Sequence, residues 1–217
     1  MRYLTDQQLY KETVVGAFLK PSSGRKMEPI HSISKQYSIQ TLERVYKHYY
    51  YIIRGRKHMI VQITKKESLP ECLDVIHRSF KTVADEFDLT QENCAKHTSF
   101  MPIYFLTTQM NWGWYMFGLY HEEKIVGYMS LSKENDTTYE LHNLAVLPEY
   151  RHNGYGKSLI DYAKQTVKNL GGNVIKIGII DESTILRKWY EANGFVHTGT
   201  KKFDHLPFTS GYLEYHL

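Results

Sequence analysis

The stretch Leu147–Ser158, LPEYRHNGYGKS, constrains the fold more than any other part of the chain. It follows the strand-like run TYELHNLAV and leads into GKSLIDYAKQTVKNL, where Leu159, Ile160, Ala163, Val167 and Leu170 recur at helical spacing. A strand that ends at Pro148, turns through Gly154 and Gly156 and feeds a helix has a topological consequence. The helix carries the chain back across the sheet, so the next apolar run, NVIKIGII, is expected parallel to the first strand. It has a chemical consequence as well. The first turn of such a helix presents backbone N–H groups without carbonyl partners, together with the positive end of the helix dipole, and the two bind phosphate-like anions.

The rest of residues 59–217 reads as a mixed α/β (α+β) domain. MIVQIT is a strand. A helix starts behind Ser68, with Glu71 completing a capping box, Pro70 in the first turn, and Leu69, Leu73, Ile76, Phe80, Val83 and Phe87 as its buried stripe. A short helix is expected behind Thr90. WYMFGLYHEEKIVGYMSLS turns over at His121 to Lys124 and returns through Ile125 to Leu131, the pattern of a hairpin. Gly171 and Gly172 close the helix after the loop. ESTILRKWYEAN is a helix stopped by Gly194, and FVHTGTKKF and GYLEYHL are the last two strands.

Residues 1–58 differ in character. They carry 11 Lys and Arg against 4 Asp and Glu, an excess of +7, whereas the remaining residues hold 16 against 19, or −3. A Pro, Ser and Gly loop at residues 20–29 precedes HSISKQYSIQTLERVYKHYYYIIRGRK, which reads as two helices in a loose helix-turn-helix layout. Two roles fit this small helical extension: packing on the body or on a second subunit as a homodimer, or DNA binding. The N-terminus lacks a signal-peptide layout and no apolar run approaches a membrane span, so the expected location is the cytoplasm, with no membrane partner. Cys72 and Cys94 have no zinc-like spacing and the eleven histidines form no HExxH, so no metal is expected.

Three anion-loop patterns compete for Leu147–Ser158. A Walker A loop fails because its first Gly falls on Arg151, and the dinucleotide fingerprint fails because its third Gly is Leu159. What remains is R-x-x-G-x-G, Arg151 to Gly156, which resembles the pyrophosphate loop of the GNAT N-acetyltransferases. WYEANGF, Trp189 to Phe195, resembles the Y-E-x-x-G-F of the same superfamily, and the order of elements from about residue 59 to 217 is similar too. The resemblance implies a GNAT fold, a mixed central sheet with one splayed strand pair flanked by helices, and acetyl-CoA as cofactor.

It also implies roles for particular residues. The amides around His152, Asn153, Gly154, Tyr155, Gly156 and Lys157 would hold the diphosphate, with Arg151 adding charge. The backbone of Leu144, Ala145 and Val146 would pair with the pantetheine arm. Ser183 stands where many GNATs have an Asn that touches it. Tyr190 falls on the tyrosine that protonates the departing thiolate, and a phenol of pKa ~10 is a reasonable donor. Glu140 and His142 alternate onto one face of the strand and are the two candidates for the base that deprotonates the amine.

The acceptor leaves little trace. Trp112, Trp114, Tyr115 and Phe117 either wall a cleft or form ordinary core, and the leading expectation is a small-molecule primary amine. A protein N-terminus or lysine is the alternative within the same chemistry. An acetyl-CoA-sensing DNA-binding regulator is the alternative from another class.

Overall fold

The computed structural model describes residues 58–217. The helical extension, the helix-turn-helix likeness and the dimer or DNA roles of residues 1–57 lie outside the described residues. Within them, seven strands form one sheet in the order β1-β2-β3-β4-β5-β7-β6. In chain order the elements are β1 (His58–Gln62), α1 (Leu69–Glu86), α2 (Ile103–Asn111), β2 (Tyr115–His121), β3 (Lys124–Lys133), β4 (Thr138–Val146), α3 (Tyr155–Asn169), β5 (Val174–Ile180), α4 (Thr184–Ala192), β6 (Val196–Lys202) and β7 (Thr209–His216).

The expected parallel crossover is present, and it is short. β4 pairs with β5 in parallel only at Thr138, Glu140 and the residue between them, while β2–β3, β3–β4, β5–β7 and β6–β7 are antiparallel. Beyond Glu140 the two strands separate. A bulge accompanies the split: the β3–β4 register slips between Tyr128 and Ser130, and Asn143 has φ of 51°. A bulge adds one residue to one strand and increases its twist, which turns the second half of β4 away from β5. The sheet is thereby splayed at the strand that leads into the loop.

α1 packs on β3 and β4 from one side, and α3 packs on the same two strands from the other. The buried face of α3 is Leu159, Ile160, Ala163 and Val167, as its sequence spacing predicts. Its C-terminus closes as a Schellman turn, with Gly171 at φ 81° and the Gly172 amide donating to Val167 O at 2.9 Å.

Three expectations at the start of the domain need correction. Ser68 makes no side-chain cap and belongs to a 3-10 turn, and Glu71 accepts instead from the Ile125 amide at 2.8 Å, tying α1 to the start of β3. A long-range backbone donor has displaced the local capping box. The buried stripe of α1 is rotated toward Cys72, Val75 and Ser79, with Leu73, Phe80, Val83 and Phe87 only half-buried. No helix forms directly behind Thr90. There the Thr90 hydroxyl accepts from the amides of Glu92 and Asn93, and Asn93 bonds back to Thr90 N and Asp88 O, a closed local turn. The second helix begins after Pro102, at Ile103. Cys72 and Cys94 are free and buried, in keeping with their isolated positions in the sequence.

Candidate functional site

The loop after β4 is held open by its own side chains. Asn153 Nδ2 donates to Tyr150 O and Arg151 O at 3.2 and 3.0 Å. His152 and Gly154 are both left-handed, with φ of 62° and 78°. Gly154 is the N-cap of α3, and the first helical amide bonded within the helix is that of Ser158, to Gly154 O at 2.9 Å. A glycine N-cap has no side-chain oxygen for the next amides, so those of Gly156 and Lys157 are left for an external acceptor. Gly156 has a packing reason of its own: a Cβ there would come within 3.1 Å of the Trp189 ring, which joins the start of α3 to α4.

The charged side chains of the motif face elsewhere. Arg151 is half-buried, and its guanidinium donates to Val146 O, Ser79 O and Thr82 Oγ1 at 3.2, 2.9 and 3.1 Å, lashing the loop to the end of β4 and to α1. Burial pulls its pKa down. The expected contribution of Arg151 is charge beside the anion; its geometry is that of a strut for the loop. The Lys157 ammonium bonds Asp161 at 2.6 Å on the exposed side of α3. Tyr155 is buried, with its hydroxyl 2.6 Å from His121 Nδ1. The groups that the loop leaves for an acceptor are therefore mainly its backbone amides.

Tyr190 on α4 is buried, edge-on to Trp189 at 4.9 Å and to Phe195 at 5.4 Å. Burial pushes its phenol well above the ordinary value, so the group is protonated at neutral pH. Ser183, also buried, is the N-cap of α4 without a side-chain capping bond. Leu144, Ala145 and Val146 follow the bulge, where β4 has left β5, so the β5 side of this segment carries backbone groups that the parallel ladder does not use.

Glu140 and His142 do share a face, and His142 Nε2 lies 3.6 Å from Glu140 Oε2. Three partners were not legible in the sequence. Ser132 Oγ is 2.8 Å from His142 Nε2, the Trp114 ring stacks on the imidazole at 4.4 Å and 24°, and Lys176 faces Glu140 across the short parallel ladder. Burial holds the His142 pKa down at about 4, which leaves a neutral imidazole. Partial desolvation first, in a side chain still 48% exposed, and the neighbouring Glu134 second, raise the Glu140 carboxyl, while Lys176 opposes them. Of the four aromatic residues considered for the acceptor cleft, Met116's neighbour Phe117 is buried core and Trp112 stands exposed beside Trp114.

From Glu140 an open groove of about 480 Å³ runs over β5, β7 and β6. Tyr212 projects into it from β7, with Gly178 of β5 and Gly199 of β6 as its register neighbours on either side. A Cβ on Gly178 would meet nothing within 4 Å. Lys176 and Glu134, 3.0 Å apart, and Glu214 complete the polar walls. Among the described residues no cluster of His, Cys, Asp or Glu is arranged to hold a metal, and no helix is long and apolar enough to cross a membrane.

Comparison with known proteins agrees with this architecture. Residues 82–195, more than half of the chain, match the model of the Acetyltransferase (GNAT) family. An uncharacterised N-acetyltransferase of Bacillus velezensis is 43% identical over 58 residues, covering 22% of this chain and 36% of that protein. One from Mycobacterium tuberculosis is 29% identical over 83 residues, covering 38% and 53%. The chain thus spans about a third to a half of the length of these curated relatives. Among solved structures, the ribosomal-protein-S18-alanine N-acetyltransferase of Escherichia coli superposes with a TM-score of 0.59 at 14% identity, over 73% of this chain and 93% of that one. PaiA N-acetyltransferase of Thermoplasma acidophilum, solved with coenzyme A, gives 0.58 at 20% identity, over 75% and 100%. At these identities the solved structures speak for the fold.

Proposed function

The chain belongs to the acetyltransferase (GNAT) family, and on that premise we propose that it is an N-acetyltransferase moving an acetyl group from acetyl-CoA to a small-molecule primary amine. The observation that carries the reading is the loop between β4 and α3: left-handed His152 and Gly154 and a glycine N-cap leave helix-start amides for an anion. A diphosphate fits that cradle, held by backbone rather than by Arg151 or Lys157 side chains. The edge of Leu144–Val146 that β5 leaves, apart from the Val146 carbonyl taken by Arg151, suits an extended amide-bearing arm such as pantetheine.

Acetyl-CoA, when bound, supplies the acetyl group as a thioester. This chain's residues do the rest. The backbone of the splayed strand orients the acyl carbonyl, Glu140, with His142 beside it, accepts the proton of the acceptor nitrogen, and the Tyr190 phenol holds the proton destined for the sulfur. The acceptor lies in the groove over Gly178 and Tyr212, whose volume is that of a small-ligand site.

A panel of primary amines incubated with full-length protein and acetyl-CoA, read by release of free coenzyme A thiol, tests the function. Amine-dependent release that saturates with one class of small amine is the expected result. Release only with peptides bearing a free N-terminus or lysine would move the acceptor to a polypeptide. No release with any acceptor would refute the transferase reading.

A further inference from the structure

The contacts at the mouth of the groove assign the proton on His142. Its Nε2 faces Ser132 Oγ at 2.8 Å and Glu140 Oε2 at 3.6 Å, and Ser132 and Glu140 are cross-strand partners in register. A carboxylate offers lone pairs only. A bare Nε2 would set its own lone pair against those of Glu140. A proton on Nε2 removes that opposition, because it points at the serine oxygen with the carboxylate beside it. The stacked Trp114 ring covers the imidazole face and fixes its plane. The other charged groups in reach, Glu134 and Lys176, act on Glu140 and bond each other.

We propose that Glu140 selects the neutral Nε2–H tautomer of His142, with Ser132 Oγ accepting that proton, and that Ser132 and His142 are positioning residues for Glu140, which takes the proton from the acceptor amine. In that step the N–H bond of the acceptor breaks, its electron pair stays on nitrogen, and an O–H bond forms on the Glu140 carboxyl. His142 gains and loses nothing. The proposal deepens the acetyltransferase reading and rests on it for the Glu140 step, whereas the tautomer stands on the contacts alone.

Two measurements on the full chain decide it. Long-range ¹H–¹⁵N correlation of histidine side chains at pH 7, with the His142 signals identified by their loss in His142→Gln, should show the Nε2–H pattern. Glu140→Ala, which removes the opposing lone pairs, should shift His142 toward the Nδ1–H form. An Nδ1–H or doubly protonated ring in the wild type, or a tautomer indifferent to Glu140→Ala, would overturn the assignment. In the amine assay, Glu140→Gln should lower turnover by about a hundredfold, and Ser132→Ala should move the carboxylate limb of the pH–rate profile, with Ser132→Thr returning it. Turnover surviving in Glu140→Gln, with a rate inflection that disappears in His142→Gln, would make His142 the base and overturn the division of roles. A wild type inactive with every acceptor would refute the enzyme reading, together with the Glu140 step, and leave the spectroscopic result to decide the tautomer.

Discussion

The loop between β4 and α3 and the groove across β4, β5, β7 and β6 meet at the splay of the sheet, yet they are built from opposite materials. The loop works through backbone: two left-handed residues, a glycine N-cap and helix-start amides, with Arg151 and Lys157 bonded to protein partners. The groove is lined by side chains that arrive from four strands, with the Trp114–His142 stack beside Glu140 at its end. A backbone site makes the same demand on any chain that uses it, because only certain residues tolerate its φ angles. A side-chain groove can be lined in many ways. On the proposed function, the loop carries the family-wide chemistry and the groove the individual choice of acceptor.

Tyr190 is buried on α4 beside Trp189, which packs against Gly156 of the loop, and its replacement should have the largest effect. Tyr190→Phe keeps the buried ring and removes the proton, so turnover should fall about a hundredfold while coenzyme A affinity holds. Stopped-time assays and titration calorimetry on the same preparation give both numbers. Equal loss of affinity and turnover would mean that the hydroxyl helps to hold the cofactor throughout the reaction and has no part in proton transfer.

A second effect belongs to the groove alone. The folded-state pKa of His142 is depressed to about 4, below the ~6.5 of an unfolded histidine. Between those values the unfolded chain binds the extra proton, so stability present above pH ~6.5 is lost as pH falls toward 4. His142→Gln should flatten that loss by about 2–3 kcal/mol in urea unfolding series. Glu140, whose pKa is raised, contributes with the opposite sign and is common to both proteins. Parallel pH profiles for the two proteins would show that the imidazole is not desolvated.

The smallest effects come as a matched pair of glycines. Gly178→Leu adds a side chain where a Cβ meets nothing, so the fold should tolerate it, while the acceptor KM rises about tenfold and coenzyme A affinity stays put. Gly154→Val forces a β-branched residue to φ 78° and should weaken coenzyme A about tenfold with little change in the acceptor KM. If each variant altered both ligands equally, the division between loop and groove would collapse.

The same contrast explains what could be read before the structure. Arg151-x-x-Gly154-x-Gly156 and the Trp189–Phe195 run marked the fold because their spacing answers to local backbone geometry and helix packing. Glu140 and His142 were visible as alternating residues on one strand. Ser132 and Lys176 were not, since register across a sheet sets them beside Glu140 and nothing local encodes that register. The capping box at Ser68 misled for a related reason: Glu71 found the Ile125 amide, 54 residues away, in place of its neighbour. The roles of Arg151 and Lys157 were obscured because a motif names residue types and leaves open where their side chains turn.

Amide hydrogen exchange with and without coenzyme A tests the central claim, that a ligand diphosphate is held by backbone, most directly. Adding coenzyme A to the full chain should slow exchange at Asn153, Gly154, Gly156 and Lys157, and along Leu144–Val146, with the groove strands β6 and β7 unchanged. Coenzyme A binding that leaves the loop amides exchanging as before, or that protects β6 and β7 in their place, would contradict it.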